Sequence, residues 1–150
     1  MATTTTTADS VLIALRELLS ERDGLAGVTV EDAPYPLGEL GEEWIDLYGV
    51  KAKQRWGSLG ARRREEEYAI VGSLRTSVIG SLREDVRTCR ARAYAILAEI
   101  EDALRDDPTI GGIARQAELS SYELVQSADS DSRITDIDFE IGVKATLPRS

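Results

Sequence analysis

Paired carboxylates and a cluster of arginines beside a tryptophan are the residues of this chain whose types and spacing could do chemistry. Asp106-Asp107 and Asp129/Asp131 are the carboxylate pairs. Two-metal and glycosidase chemistry needs carboxylates held on opposing elements. These pairs occupy adjacent turn positions. Asp106 and Asp107 also stand at the end of a helical pattern, where negative charge opposes the macrodipole, so they read as solvated loop residues. Asp129-Ser130-Asp131 lacks the length and the downstream glutamate of a calcium loop. No phosphate-cradling glycine motif and no nucleophile elbow is present. The chain has no histidine and one cysteine, Cys89. That removes His-based general-base catalysis, His/Cys zinc sites and an internal disulfide. Cys89 follows Val86 and precedes Ala93 at helical spacing, and reads as a small buried apolar residue. The expectation is no catalytic residue, no metal and no cofactor.

The basic cluster lies in Gln54-Arg55-Trp56-Gly57-Ser58-Leu59-Gly60-Ala61-Arg62-Arg63-Arg64. This segment is too polar and glycine-rich to be a central strand, so it reads as a long loop between two strands. A tight hairpin needs only two to five loop residues, and longer loops are often functional. Arg55, Trp56, Leu59, Arg62, Arg63 and Arg64 are candidates for a protein interface, because Trp and Arg are enriched in hot spots. A solvated hairpin tip is the plainer reading. Contact with nucleic acid ranks third, because Glu65, Glu66 and Glu67 follow at once and offset the arginines.

These residues are carried by 150 residues that read as one domain, long enough to fold without disulfides or metal. Residues 1–7, rich in threonine, read as a flexible arm or a lead-in to a helix cap. They lack the basic and apolar regions of a signal peptide, so secretion is not expected. The formal net charge is −9, which repels nucleic acid and anionic membranes at long range. No apolar run approaches the ~20 residues of a spanning helix, so no membrane partner is expected.

Hydrophobic spacing sets the elements. A first helix is predicted from about Ala8 to Arg22, capped by Asp9 or Ser10, with Val11, Leu12, Leu15, Leu18 and Leu19 in one stripe. A short strand near Val28–Glu31 ends before Pro34. A second strand is predicted from about Glu43 to Lys53, with Trp44, Tyr48 and Val50 on one face and Ile45 and Leu47 on the other. A third runs from about Glu66 to Thr76. A long helix covers about Glu84 to Asp106, with Val86, Cys89, Ala93, Ile96, Leu97, Ile100, Ala103 and Leu104 in one face. Pro108 and Gly111-Gly112 force a turn. A fourth strand covers roughly Ile113 to Gln126, with a bulge near Ser120-Ser121 where the alternation changes phase. After an acidic turn, the last strand puts Ile137, Phe139, Ile141, Val143, Ala145 and Leu147 on one face. Asp136, Asp138, Glu140, Lys144 and Thr146 take the other. The order αβββαββ gives an α+β fold, one mainly antiparallel sheet packed by two helices and buried on one side.

The helical run Arg90-Ala91-Arg92-Ala93-Tyr94-Ala95-Ile96-Leu97-Ala98-Glu99-Ile100-Glu101-Asp102-Ala103-Leu104-Arg105 leads to Asp107-Pro108-Thr109-Ile110-Gly111-Gly112. Together with Asp138-Phe139-Glu140-Ile141-Gly142-Val143-Lys144-Ala145-Thr146-Leu147, it resembles the tail terminator (tail-completion) proteins of long-tailed siphophages. The resemblance is strong from Arg83 to Leu147 and weak before that. It implies a homohexameric ring on the head-proximal end of the tail tube, in the neck of the virion, assembled in the host cytoplasm. Its implied partners are the tail tube protein and a head-completion or connector protein, with genomic DNA passing through the lumen unbound. Six copies at −9 each make −54, consistent with such a lumen. Asp129, Asp131, Asp136, Asp138 and Glu140 are candidates for the acidic lumen face, with an ordinary solvated face as the alternative. A head-closure or connector protein is the nearest other reading. A small cytoplasmic module binding nucleic acid through the basic loop is the reading from a different class.

Overall fold

The last strand organises the molecule, so the fold is best built outward from it. In the computed structural model, which describes residues 6–34, 43–53 and 63–148, β5 spans Ser132–Pro148. Its strict alternation holds: Ile137, Phe139, Ile141, Val143, Ala145 and Leu147 are all buried. β5 pairs antiparallel with β3 (Arg63–Ile79) over its whole length and with β4 (Gln116–Ala128) on its other side. β2 (Trp44–Lys53) joins β3 antiparallel, and the short β1 (Thr29–Glu31) joins β2 in parallel. The five strands lie in the order β1-β2-β3-β5-β4.

Helices α1 (Ala8–Ser20) and α2 (Arg83–Asp106) pack on one face of this sheet. α2 buries Cys89, Ala93, Ile96, Leu97, Ile100, Ala103 and Leu104, seven of the eight positions that its spacing predicts; Val86 is half-buried. α1 buries Ala8, Val11, Leu15 and Leu19 in a stripe spaced by three and four. The fold is therefore α+β, as the sequence order implies.

Differences from the sequence reading have physical causes. α1 stops at Ser20, because Arg22 leaves the helix and its guanidinium binds Glu99 at 2.6 Å and Asp106 at 3.1 Å. Neither Asp9 nor Ser10 caps α1. Glu66 does so from β3: its Oε1 accepts Thr6 Oγ1 at 2.6 Å and the Thr7 amide at 3.2 Å. Thr6 and Thr7 are thus a tied lead-in rather than part of a free arm. β3 begins at Arg63, so Arg63 and Arg64 belong to a strand opposite Pro148 and Leu147, not to the loop. β4 begins at Gln116 rather than Ile113. The turn before it is fixed by Asp107, whose carboxylate accepts the Gly111 amide at 2.9 Å, and by Ala114 N–H bonding Thr109 O at 2.9 Å.

Two bulges set the faces. The register slips at Ser120, where the sequence alternation changes phase. It also slips at Tyr48, between Leu47 and Gly49. The second bulge moves Val50 to the helix side, opposite Ile70, and so separates it from Trp44 and Tyr48.

The open sheet face as a candidate interaction surface

Strand alternation divides the sheet into a helix-covered face and an open face, and among the described residues neither helix lies on the latter. Register places the open-face residues in rows across four strands. One row is Trp44, Arg75, Asp136 and Val125; the next is Asp46, Ser73, Asp138 and Glu123. Then come Tyr48 with Gly49, Val71, Glu140 and Ser121, and after them Lys51, Ala69, Gly142 and Glu118. With the following row of Lys53, Glu67, Lys144 and Gln116, they hold seven carboxylates (Asp46, Glu67, Glu118, Glu123, Asp136, Asp138, Glu140) and four cations (Lys51, Lys53, Arg75, Lys144). The excess makes this face repel polyanions.

The ion pairs are ordered. Arg75 binds Asp136 through two nitrogens, at 2.6 and 3.0 Å, and lies 5.5 Å from the Trp44 ring centroid. Such a fork with an aromatic beneath it is a rigid arrangement. Lys51 Nζ reaches Glu140 at 2.7 Å, which holds the Glu140 carboxyl below the usual carboxylate range and raises the lysine. Asp138 stands between these two pairs. Burial first, then the charges of Asp136 and Glu123, push its carboxyl above the ordinary range. Ser73 Oγ donates to Asp46 Oδ1 at 2.9 Å, so Asp46 is buried but bonded.

The expected acidic residues therefore separate into two places. Asp136, Asp138 and Glu140 share the open face. Asp129 and Asp131 sit beyond it, in the β4–β5 turn. Asp129 accepts Ser132 Oγ at 2.7 Å and the amides of Ser132 and Asp131 at 3.1 and 3.2 Å. Those bonds, the Ser132 hydroxyl first, hold its carboxyl below the usual range, which marks a turn-forming role. The Asp131 carbonyl accepts the Gly80 amide at 2.9 Å and ties this turn to the start of α2.

Of the basic loop, Arg55, Trp56, Leu59 and Arg62 lie outside the described residues, and Arg63 and Arg64 open β3. The glutamates that follow are engaged elsewhere: Glu65 pairs with Arg115, and Glu66 caps α1. Asp46, Glu123 and Arg75 belong to the open face, although spacing along single strands does not mark them. A charged Asp46 inside the apolar run Trp44–Leu47 is the one sequence signal for that row.

Among the described residues, no group of three or more His, Cys, Asp or Glu could hold a metal. Cys89 is buried, and its thiol donates to the carbonyls of Thr76 and Arg133 at 3.3 and 3.4 Å. Among the described residues, no helix is long and apolar enough to cross a membrane.

No family model matches the chain, and no curated protein matches it in sequence. The fold is nonetheless one already seen. A solved chain from the virion of a native gene transfer agent (GTA) particle superposes with a TM-score of 0.60 at 18% identity, over 95% of this chain and 100% of that one.

Proposed function

We propose that this protein is a structural component of a virion, the tail terminator of a long-tailed phage-like particle. It forms a homohexameric ring on the head-proximal end of the tail tube, stops tube growth, and offers its other surface to a head-completion or connector protein. The observation that carries this reading is the end-to-end fold likeness to a chain of a virion particle. The resemblance of Arg83–Leu147 to tail terminators supplies the finer assignment. The protein has no enzymatic role in this reading and needs no cofactor.

The open face of the sheet lines the lumen in this proposal, with Asp136, Asp138 and Glu140 toward passing DNA and Asp129 and Asp131 at its rim. Its carboxylate excess supports free passage, because fixed negative charge keeps the DNA backbone off the wall. Arg55, Trp56, Leu59, Arg62, Arg63 and Arg64 contact a neighbouring subunit or the tube. Normal tail joining by a Trp56→Ala variant would count against that contact.

Electron microscopy of particles made without this gene tests the role. Filled heads beside separate, overlong tails are expected, because tube growth has lost its stop. Detached tails of normal length would assign the protein to the connector instead. Intact particles would remove the virion role altogether.

A further inference from the structure

The sheet has two free edges, and they match each other. On one side β1 pairs only with Trp44–Asp46, so Leu47–Lys53 of β2 have no strand partner there among the described residues. On the other side β4 is the last strand, and most of its residues are exposed. A long exposed edge is a template for another strand.

Strand direction permits the two edges to meet. β2 runs antiparallel to β3, β3 to β5, and β5 to β4. β4 is therefore antiparallel to β2, and a second copy set beside the first continues the same alternation.

Register then decides what faces what. Lys51 is level with Ala69, Ala69 with Gly142, and Gly142 with Glu118. By the same steps Val50 is level with Leu119, and Ala52 with Ala117. A neighbour whose β4 enters the free lane at Gln116 and leaves it before Glu123–Val125, the level that β1 already occupies, brings Glu118 opposite Lys51 on the open face. On the helix face it brings the exposed Val50 and Ala52 against the apolar part (Leu104, Pro108, Ala117 and Leu119) of a groove that Glu101, Arg105, Gln116 and Glu118 also line. Charge agrees where the two segments are level, with Lys51 opposite Glu118 and Lys53 opposite the neutral Gln116, whereas Glu123 is level with Asp46 and lies outside the paired stretch. Leu47–Lys53 holds two lysines and no acid, and Gln116–Ala128 holds two glutamates and no base.

We propose that β4 of one copy adds to the free half of β2 in a second copy, joining the sheets head to tail through Gln116–Leu119 and Val50–Lys53. The contact is heterologous, so repetition closes a ring or runs on as a filament. It supplies a contact for the ring proposed above, yet it rests on the two edges alone and does not depend on a role in a tail.

Disulfide trapping tests the seam in solution, apart from any particle. Lys51→Cys and Glu118→Cys replace exposed residues away from the core, and circular dichroism checks that each variant is folded. The two full-length variants are oxidised separately and as a mixture. The seam predicts covalent dimer in the mixture and none above the wild-type level in either variant alone. Dimer from Glu118→Cys alone, equal to that of the mixture, would put β4 against β4 and overturn the proposal. No added dimer in the mixture would overturn it as well. Particle morphology without the gene is unaffected by either result, so the seam and the tail role can fail separately.

Discussion

Neighbouring residues of β5 obey different rules. Phe139 is almost wholly buried, with its ring over Gly72, where a Cβ would come to 2.5 and 2.8 Å from ring atoms. Asp138, one residue earlier, points to the open face among other carboxylates. The helix-covered face is fixed by volume, so little there can change. The open face is set mainly by charge, so apart from the buried Trp44 and Asp46 it can change with little effect on folding.

The contrast is broken most directly by substitutions on each side. Phe139→Ala should cost about 3–5 kcal/mol, read by urea denaturation, because it removes a ring from a closed core. Gly72→Ala should cost about 1–3 kcal/mol, since Phe139 and the Asp46 carbonyl, 2.9 Å from the added carbon, leave no room. Glu66→Ala should cost about 0.5–2 kcal/mol, as expected for loss of a helix cap. Arg75→Ala on the open face should cost no more than about 1 kcal/mol, because the Asp136 pair is partly solvated. A larger loss there than at Gly72 would erase the distinction between the faces.

The smallest effect has the opposite sign. Asp138 has a raised carboxyl pKa in the folded protein, so the fold binds its proton more tightly than the unfolded chain does. Its ionisation therefore destabilises the fold as pH rises past the ordinary carboxylate range. Asp138→Asn should raise the thermal midpoint slightly at pH 7, and the gain should vanish below about pH 4, where the wild-type residue is protonated. Glu140 and Asp129 are shifted down, so their support is present at neutral pH and is lost as pH falls through their folded values.

Local rules made the covered face legible. The alternation of β5, the stripe of α2 and the bulge at Ser120 follow from spacing within single elements. The bulge at Tyr48 was not legible, because both faces of β2 are partly apolar and either phase fits. The cap on α1 comes from Glu66, about sixty residues away in sequence, and no local signal marks such a partner. Arg63 and Arg64 read as loop because of their charge, yet β5 is long enough to hold them as strand. The open face was half legible. Asp136, Asp138 and Glu140 stand out by alternation, but Asp46, Glu123 and Arg75 join them only through strand register.

The central claim is that this chain forms a ring where the tail meets the head, with its open sheet face toward the channel. A cryo-electron microscopy reconstruction of that junction, from particles made by the source genome, tests it most directly. The account predicts one ring of this chain with Asp136, Asp138 and Glu140 facing the lumen and α2 on the outside. A junction without this chain, or one in which the helices line the channel, would contradict it.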